Sequence, residues 1–121
     1  EVHPMYFKPG MYVHEPMFNG EVLVWIDKNK APDSTLYMKN MLTGETKKIV
    51  QGVTSYSVTD RSVVYNYNQE IYAYYYNENV TVRVSKQGQP AILPVSIGNL
   101  VVWEDKSPSN EGDVYKYNIV D

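Results

Sequence analysis

Short runs of apolar, β-branched and aromatic residues follow one another along the chain, separated by turn-forming residues such as Thr43-Gly44-Glu45 and Asn77-Glu78-Asn79. No stretch shows the i, i+3, i+4, i+7 apolar spacing of an amphipathic helix. The pattern therefore predicts an all-β fold without helices. The predicted strands cover residues 16–19, 22–27, 35–40, 46–50, 54–59, 62–67, 70–76, 80–85, 91–96, 99–104 and 113–118.

A tryptophan-centred phrase occurs twice in the chain. Residues 20–28, GEVLVWIDK, return without a gap 78 positions later as residues 98–106, GNLVVWEDK. A weaker copy, SVVYNY at 62–67, lies midway and has Tyr65 in place of the tryptophan. The period of about 39 residues indicates stacked repeats that cannot bury their own faces. The predicted units are residues 14–52, 53–90 and 91–121.

The second strand of each unit favours one architecture. Val22-Leu23-Val24-Trp25 and Leu100-Val101-Val102-Trp103 are apolar at successive positions, so both faces of their sheets must be covered. Three four-stranded antiparallel units covered on both faces by their neighbours describe β-propeller blades. A β-sandwich is the alternative, but it gives no reason for the repeat period.

The repeated motifs resemble the blades of TolB-type six-bladed β-propellers, found in bacterial and archaeal surface proteins. The resemblance covers residues 14–121 and rests on Gly-x-x-Val-Val-Trp-x-Asp-Lys, Asp-Val-Tyr-x-Tyr-Asn and Thr-Gly-Glu; the second unit lacks the tryptophan and the Asp-Lys pair. It implies a scaffold and an interaction surface, with the three units forming half of a six-bladed ring. Since half a ring leaves two open faces, we expect a homodimer that completes the ring. In that dimer, residues 1–13 would act as a ring-closing strand.

Composition limits the other possibilities. The 121 residues, 43% of them hydrophobic, suffice for one domain. The net charge is -3 and basic residues are scattered, so we expect no nucleic-acid partner. The chain contains no run of 18 apolar residues, so we predict no segment that inserts into a membrane. The start at Glu1 favours a processed or excised protein, and the lack of cysteine favours a bacterial exported one. Together with the resemblance to blades of bacterial and archaeal surface proteins, this leads us to expect an extracellular or cell-surface protein.

Tyrosines are the candidate binding residues. Along one strand, alternation places Tyr72, Tyr74 and Tyr76 on one side and Tyr75 on the other, and Tyr117 follows in the third unit. Two interpretations stay open for these side chains. They could pack between blades with their hydroxyls at the rim, or they could form a platform that stacks on a sugar or anchors a protein.

No catalytic or cofactor-binding set is predicted. His3 and His14 are the only histidines, and neither belongs to a recognisable triad. The Asp27-Lys28 and Asp105-Lys106 pairs favour turn hydrogen bonds. A calcium site that adds Asp33, or Glu111 and Asp113, matches the spacing of neither an EF-hand nor a glycine-aspartate nonapeptide loop, so we predict no metal. We expect a non-enzymatic module that contacts a protein or glycan. The alternatives are an accessory propeller of a larger hydrolase or peptidase and a purely structural ring.

Overall fold

The computed structural model of the chain describes residues 13–28, 34–85, 91–105 and 114–118, with the backbone alone at 92–93, 105 and 114–118. Every regular element in these ranges is a β-strand. The all-β prediction is therefore confirmed. The strands are β1 Val13–Phe18, β2 Val22–Asp27, β3 Thr35–Asn40, β4 Thr46–Gln51, β5 Val53–Val58, β6 Ser62–Tyr67, β7 Glu70–Tyr75, β8 Val80–Arg83, β9 Ala91–Ile97, β10 Leu100–Asp105 and β11 Val114–Asn118.

The strands form three antiparallel sheets in which sequence neighbours pair with one another. The first sheet has the order β1-β2-β3-β4 and the second β5-β6-β7-β8. In the third sheet, β9, β10 and β11 pair within the described ranges. The segment predicted to supply a fourth strand to it is residues 1–13; residues 1–12 lie outside those ranges, and Val13 is the first residue of β1.

Two apolar cores separate the three sheets. The first core lies between the first and second sheets and contains Val22, Val24, Ile26, Leu36, Met38, Val53, Tyr56, Val63, Tyr65, Tyr74 and Tyr76. The second core lies between the second and third sheets and contains Val64, Ile71, Ala73, Ala91, Val101 and Trp103. The second sheet is therefore covered on both faces, and the first five residues of β6 are all buried.

The repeated aromatic position is a buried packing position. Trp25 and Trp103 are 1% and 8% exposed, and Tyr65 in the second sheet is 6% exposed. Trp25 stacks on Tyr37 with ring centroids 5.9 Å apart, and Tyr65 stacks on Tyr72 at 5.7 Å. The predicted equivalence of the three aromatic residues is thus confirmed, and each anchors a central strand of its sheet.

Candidate functional site

The tyrosines of β7 alternate between the two cores. Tyr74 and Tyr76 belong to the first core, and Tyr72 packs against its edge. Ala73 belongs to the second core, against which Tyr75 packs. The predicted division of sides is correct, although Tyr76 lies in the turn after β7 rather than in the strand.

Burial limits what these tyrosines offer to a ligand. The rings of Tyr74 and Tyr76 are buried, so they present hydroxyl groups rather than ring faces. Tyr72 is half-buried and stacks on Tyr65. The backbone of Tyr117 pairs with Val101 in the third sheet, and its side chain lies outside the described part. The assignment of these four residues to binding stays a prediction.

A cleft of about 210 Å³ opens between the first and second sheets, beside the β3–β4 turn and the end of β7, and we call it the rim pocket. The side chains around it come from β3, β4 and their connecting turn on one side and from the end of β7 on the other. Two of the predicted tyrosines are among them. The lining residues are Met38, Asn40, Thr43, Glu45, Lys47, Tyr74, Tyr76 and Asn77.

A tight turn fixes the part of the rim pocket that the first sheet contributes. The Asn40 carboxamide oxygen accepts hydrogen bonds from the amides of Leu42 and Thr43 at 2.9 and 3.2 Å. The Thr43 hydroxyl accepts from the Glu45 amide, and Gly44 takes the positive φ of 79° that the turn requires. The turn therefore holds Glu45 beside the pocket without using its carboxylate.

Lys47 links the two sheets. It lies opposite Met38 on the side of the first sheet that faces the second. Its ammonium group donates to the Tyr74 hydroxyl at 2.6 Å and to the Asn79 carboxamide oxygen at 2.5 Å, and it lies 5.0 Å from the Tyr74 ring centroid. Tyr74 also donates to Asn79 at 2.9 Å. These contacts hold a positive charge at the pocket wall.

Tyr76 forms a second link between the sheets. Its hydroxyl accepts from the Asn19 carboxamide nitrogen at 2.9 Å, and its proton is within reach of a Glu21 carboxylate oxygen at 3.3 Å and the Asp60 carbonyl at 3.2 Å. Burial raises the pKa of Tyr76, the bond from Asn19 lowers it in part, and the Glu21 charge raises it. Tyr76 therefore remains a neutral hydroxyl at neutral pH.

The rim pocket combines hydrogen-bond donors and acceptors without a large net charge. Lys47 supplies an ammonium group and Glu45 a carboxylate, while Asn77, which also donates to Glu21 at 3.3 Å, adds an amide. Such a mixture suits a ligand that itself carries several groups able both to donate and to accept. The volume of the rim pocket lies below the roughly 300 to 1,000 Å³ of pockets for drug-sized molecules. The pocket therefore suits a small ligand, or one small unit of a larger ligand.

The candidate metal-binding and histidine residues from the sequence analysis do not come together as a site within the described ranges. Among those residues, no three His, Asp or Glu side chains come together in a way that could hold a metal ion. Asp33, Glu111 and Asp113 lie outside them, as does His3. His14 is half-buried opposite Ile26 on β2. The described part also contains no helix with the length and apolar character needed to cross a membrane.

Sequence reasoning missed Asn19, Asn40, Lys47, Asn77 and Asn79 as parts of this site. The alternation of β4 could have placed Lys47 on the same side as Met38. The hydrogen bonds between the two sheets at this site join residues 27 to 57 positions apart, and only the stacking of the sheets brings these residues together.

Comparison with family models and with curated proteins finds no match for this chain. The resemblance to TolB-type blades therefore stays a prediction that rests on the repeated motifs.

Proposed function

We propose that the protein is a non-enzymatic binding module of an exported or cell-surface protein, and that it holds a saccharide residue in the rim pocket. The observation that carries this proposal is the wall of the pocket, where Lys47, Glu45 and Asn77 surround a small cleft. Neighbouring hydroxyl groups of a sugar both donate and accept hydrogen bonds, and these three side chains supply both kinds of partner.

The stacking of the sheets supports a propeller as the framework of this module. Each sheet is a meander of sequential strands, and the sheets stack in chain order with the second between the other two. Blades of a β-propeller follow one another in this way. We propose three blades, half of a six-bladed ring, with the rim pocket between the first two.

Rigidity also favours binding at the rim pocket. The pocket side chains stand on paired strands or on a turn held by side-chain hydrogen bonds, and the Lys47 and Tyr76 links join the two sheets. A site that is already ordered loses little conformational entropy when a ligand binds. Its affinity is nevertheless limited by the size of the ligand. At about 0.3 kcal/mol per non-hydrogen atom, a hexose of about 12 such atoms gains about 3.6 kcal/mol and binds with a Kd of about 2 mM.

NMR titration with a panel of neutral monosaccharides and disaccharides tests the proposal. We expect at least one sugar to shift the amide resonances of Glu45, Lys47 and Asn77, and the signals of the sugar to stay unchanged during prolonged incubation. Hydrolysis of the sugar would contradict a non-enzymatic role.

A matched pair of variants separates the pocket from the surface around it. Glu45→Ala removes a carboxylate at the pocket, whereas Glu78→Ala removes an exposed carboxylate in the nearby β7–β8 turn that does not line it. We expect the first variant to weaken binding about tenfold, the usual effect of losing one hydrogen bond to a charged group, and the second to leave it unchanged. Equal effects of the two variants, or no shift with any sugar, would refute the site.

A further inference from the structure

The turn between β1 and β2 contains the dipeptide Asn19-Gly20, the one Asn-Gly pair in the chain. In such a pair, the backbone nitrogen of the glycine can attack the side-chain carbonyl carbon of the asparagine, because glycine has no side chain to obstruct the approach. The new N–C bond closes a succinimide ring, and the side-chain nitrogen leaves as ammonia with the proton of the attacking amide. Water then opens the ring at either carbonyl, which gives aspartate or isoaspartate.

The fold holds both polar atoms of the Asn19 carboxamide. Its oxygen accepts hydrogen bonds from the amides of Glu21 and Val22, each at 2.9 Å. Its nitrogen donates to the Thr59 carbonyl and the Tyr76 hydroxyl of the second unit, each at 2.9 Å. The atom that must leave as ammonia is therefore the atom that the second unit binds.

These contacts oppose the attack in the folded protein. The Gly20 nitrogen reaches the carboxamide carbon only if the Asn19 side chain rotates toward its own backbone, and this rotation breaks the bonds to Thr59 and Tyr76. Both partners are fixed in place, since Thr59 is 1% exposed and Tyr76 is 8% exposed. Deamidation of Asn19 therefore requires a local opening in which the β1–β2 turn leaves the second unit, and only a small fraction of molecules is open in this way.

Neither product of the reaction can restore the link. An aspartate at position 19 has no N–H group for the Thr59 carbonyl, which then faces a carboxylate oxygen. The Glu21 carboxylate already lies 3.3 Å from the Tyr76 hydroxyl, so two carboxylates would compete for its one proton. In isoaspartate, the former side-chain carbonyl becomes part of the main chain, and the turn also loses the acceptor that Glu21 and Val22 use.

We propose that Asn19 is a deamidation site protected by the contact between the first and second sheets, and that its reaction turns a transient opening of this contact into a permanent weakening. Water is the only co-reactant. The equivalent turns of the other two units carry Thr59-Asp60 and Ile97-Gly98, so they lack the site. The proposal does not depend on saccharide binding, because Asn19 is not among the residues that line the rim pocket.

Incubation at mildly alkaline pH, which helps the attacking nitrogen lose its proton, tests the site in folded protein and in protein unfolded by urea. Peptide mapping by mass spectrometry measures the deamidation rate of each asparagine. In urea, we expect Asn19 to react fastest and Gly20→Ala to slow it severalfold, because the added methyl group hinders the attack. In the folded wild-type protein, we expect Asn19 to react at least about tenfold more slowly than in urea.

A matched pair of tyrosine variants tests which contact protects Asn19. Tyr76→Phe removes the hydroxyl that accepts from Asn19 and should speed deamidation of the folded protein about fivefold, the effect of losing one hydrogen bond. Tyr67→Phe is the control, because Tyr67 lies on β6 and packs edge-on against Tyr72, and it should keep the wild-type rate. In urea, both variants should react at the wild-type rate.

Asn19→Asp reproduces one product of the reaction and tests its consequence. Urea titration should show that this substitution raises the equilibrium constant of unfolding at least about tenfold, because both bonds to the second unit are lost. The proposal is wrong if another asparagine reacts faster in urea, or if folding does not slow the reaction of Asn19. It is also wrong if Tyr76→Phe reacts no faster than Tyr67→Phe, or if Asn19→Asp is as stable as the wild-type protein.

Discussion

At the scale of single residues, aromatic side chains hold the sheets together from their central strands. Trp103 is 8% exposed and belongs to the core between the second and third sheets. It is the largest side chain of that core, whose other members are valines, alanines and an isoleucine. Removing it would leave a cavity that these small neighbours cannot fill.

Trp103→Ala is therefore expected to lower the free energy of unfolding by about 3 to 5 kcal/mol, as for other buried large aromatic residues. Urea titration followed by circular dichroism gives this value. Leu42→Ala is the control, because its side chain is exposed and should change stability by less than about 0.5 kcal/mol. A loss below about 1 kcal/mol for Trp103→Ala would show that the residue does not hold the core.

Tyr56 makes stability depend on pH in the alkaline range. Its buried hydroxyl donates toward the carbonyls of Glu15 and Val24, the latter at 2.9 Å. Burial raises the pKa of Tyr56 far above its ordinary value, and the Glu15 carboxylate raises it further. The folded protein thus retains a proton that the unfolded chain loses above about pH 10.

This contribution to stability is fully present below about pH 10 and is lost as the pH rises toward the folded pKa. Tyr56→Phe should cost about 1 kcal/mol at pH 7, because its hydrogen bond is lost, and should make stability fall less steeply above pH 10. Urea titrations of both proteins at pH 7, 9 and 11 measure the difference. Parallel pH profiles would show that Tyr56 ionises equally in the folded and unfolded states.

At the scale of elements, the first two strands of the first sheet and the first two strands of the second sheet are joined by turns of the same kind. In each turn, a side-chain oxygen accepts hydrogen bonds from two backbone amides. The Asn19 carboxamide oxygen accepts from the amides of Glu21 and Val22 at 2.9 Å. Thr59 does the same with its hydroxyl for the amides of Arg61 and Ser62. Asn19 adds a bond across the sheets, donating to the Thr59 carbonyl at 2.9 Å as well as to Tyr76.

Two substitutions separate the turn from the link across the sheets. Asn19→Thr copies the residue of the second sheet, keeps the turn acceptor and loses the donor, whereas Asn19→Ala loses both. Asn19→Ala loses four hydrogen bonds and Asn19→Thr loses the two that Asn19 donates. At about 0.5 to 1 kcal/mol per hydrogen bond, Asn19→Ala should cost about 2 to 4 kcal/mol and Asn19→Thr about half of that. Thermal unfolding of the two variants checks this order. Equal losses would assign the whole effect to the link between sheets.

Strand positions followed closely from the sequence because alternation and turn residues are local signals. For ten of the eleven predicted strands, both the first and the last residue lie within two residues of the observed bounds. The exception is β1, which begins three residues earlier than predicted. Its bulge between His14 and Met17, with Glu15 at a φ of 51°, gave no recognisable signal. A non-glycine residue is held at positive φ by its surroundings rather than by its own preference.

At the scale of the whole molecule, a single sheet of the repeat cannot cover its own apolar faces and needs neighbouring sheets to do so. The second sheet is stable between its neighbours because both of its faces are covered. The outward faces of the first and third sheets still expose Phe18, Val95 and Ile97.

The sequence by itself determined the strands, their grouping into repeats, the buried aromatic position and the two sides of β7, because each depends on periodicity along the chain. Only the tertiary structure decided which side chains meet across the sheets. Lys47 contacts Tyr74 and Asn79, and Asn19 contacts Tyr76, because the stacking of two sheets fixes their separation. Alternation states which face a residue occupies, but not which neighbour lies against that face. The rim pocket is therefore a property of the packing between sheets, whereas the sheets are a property of the local sequence.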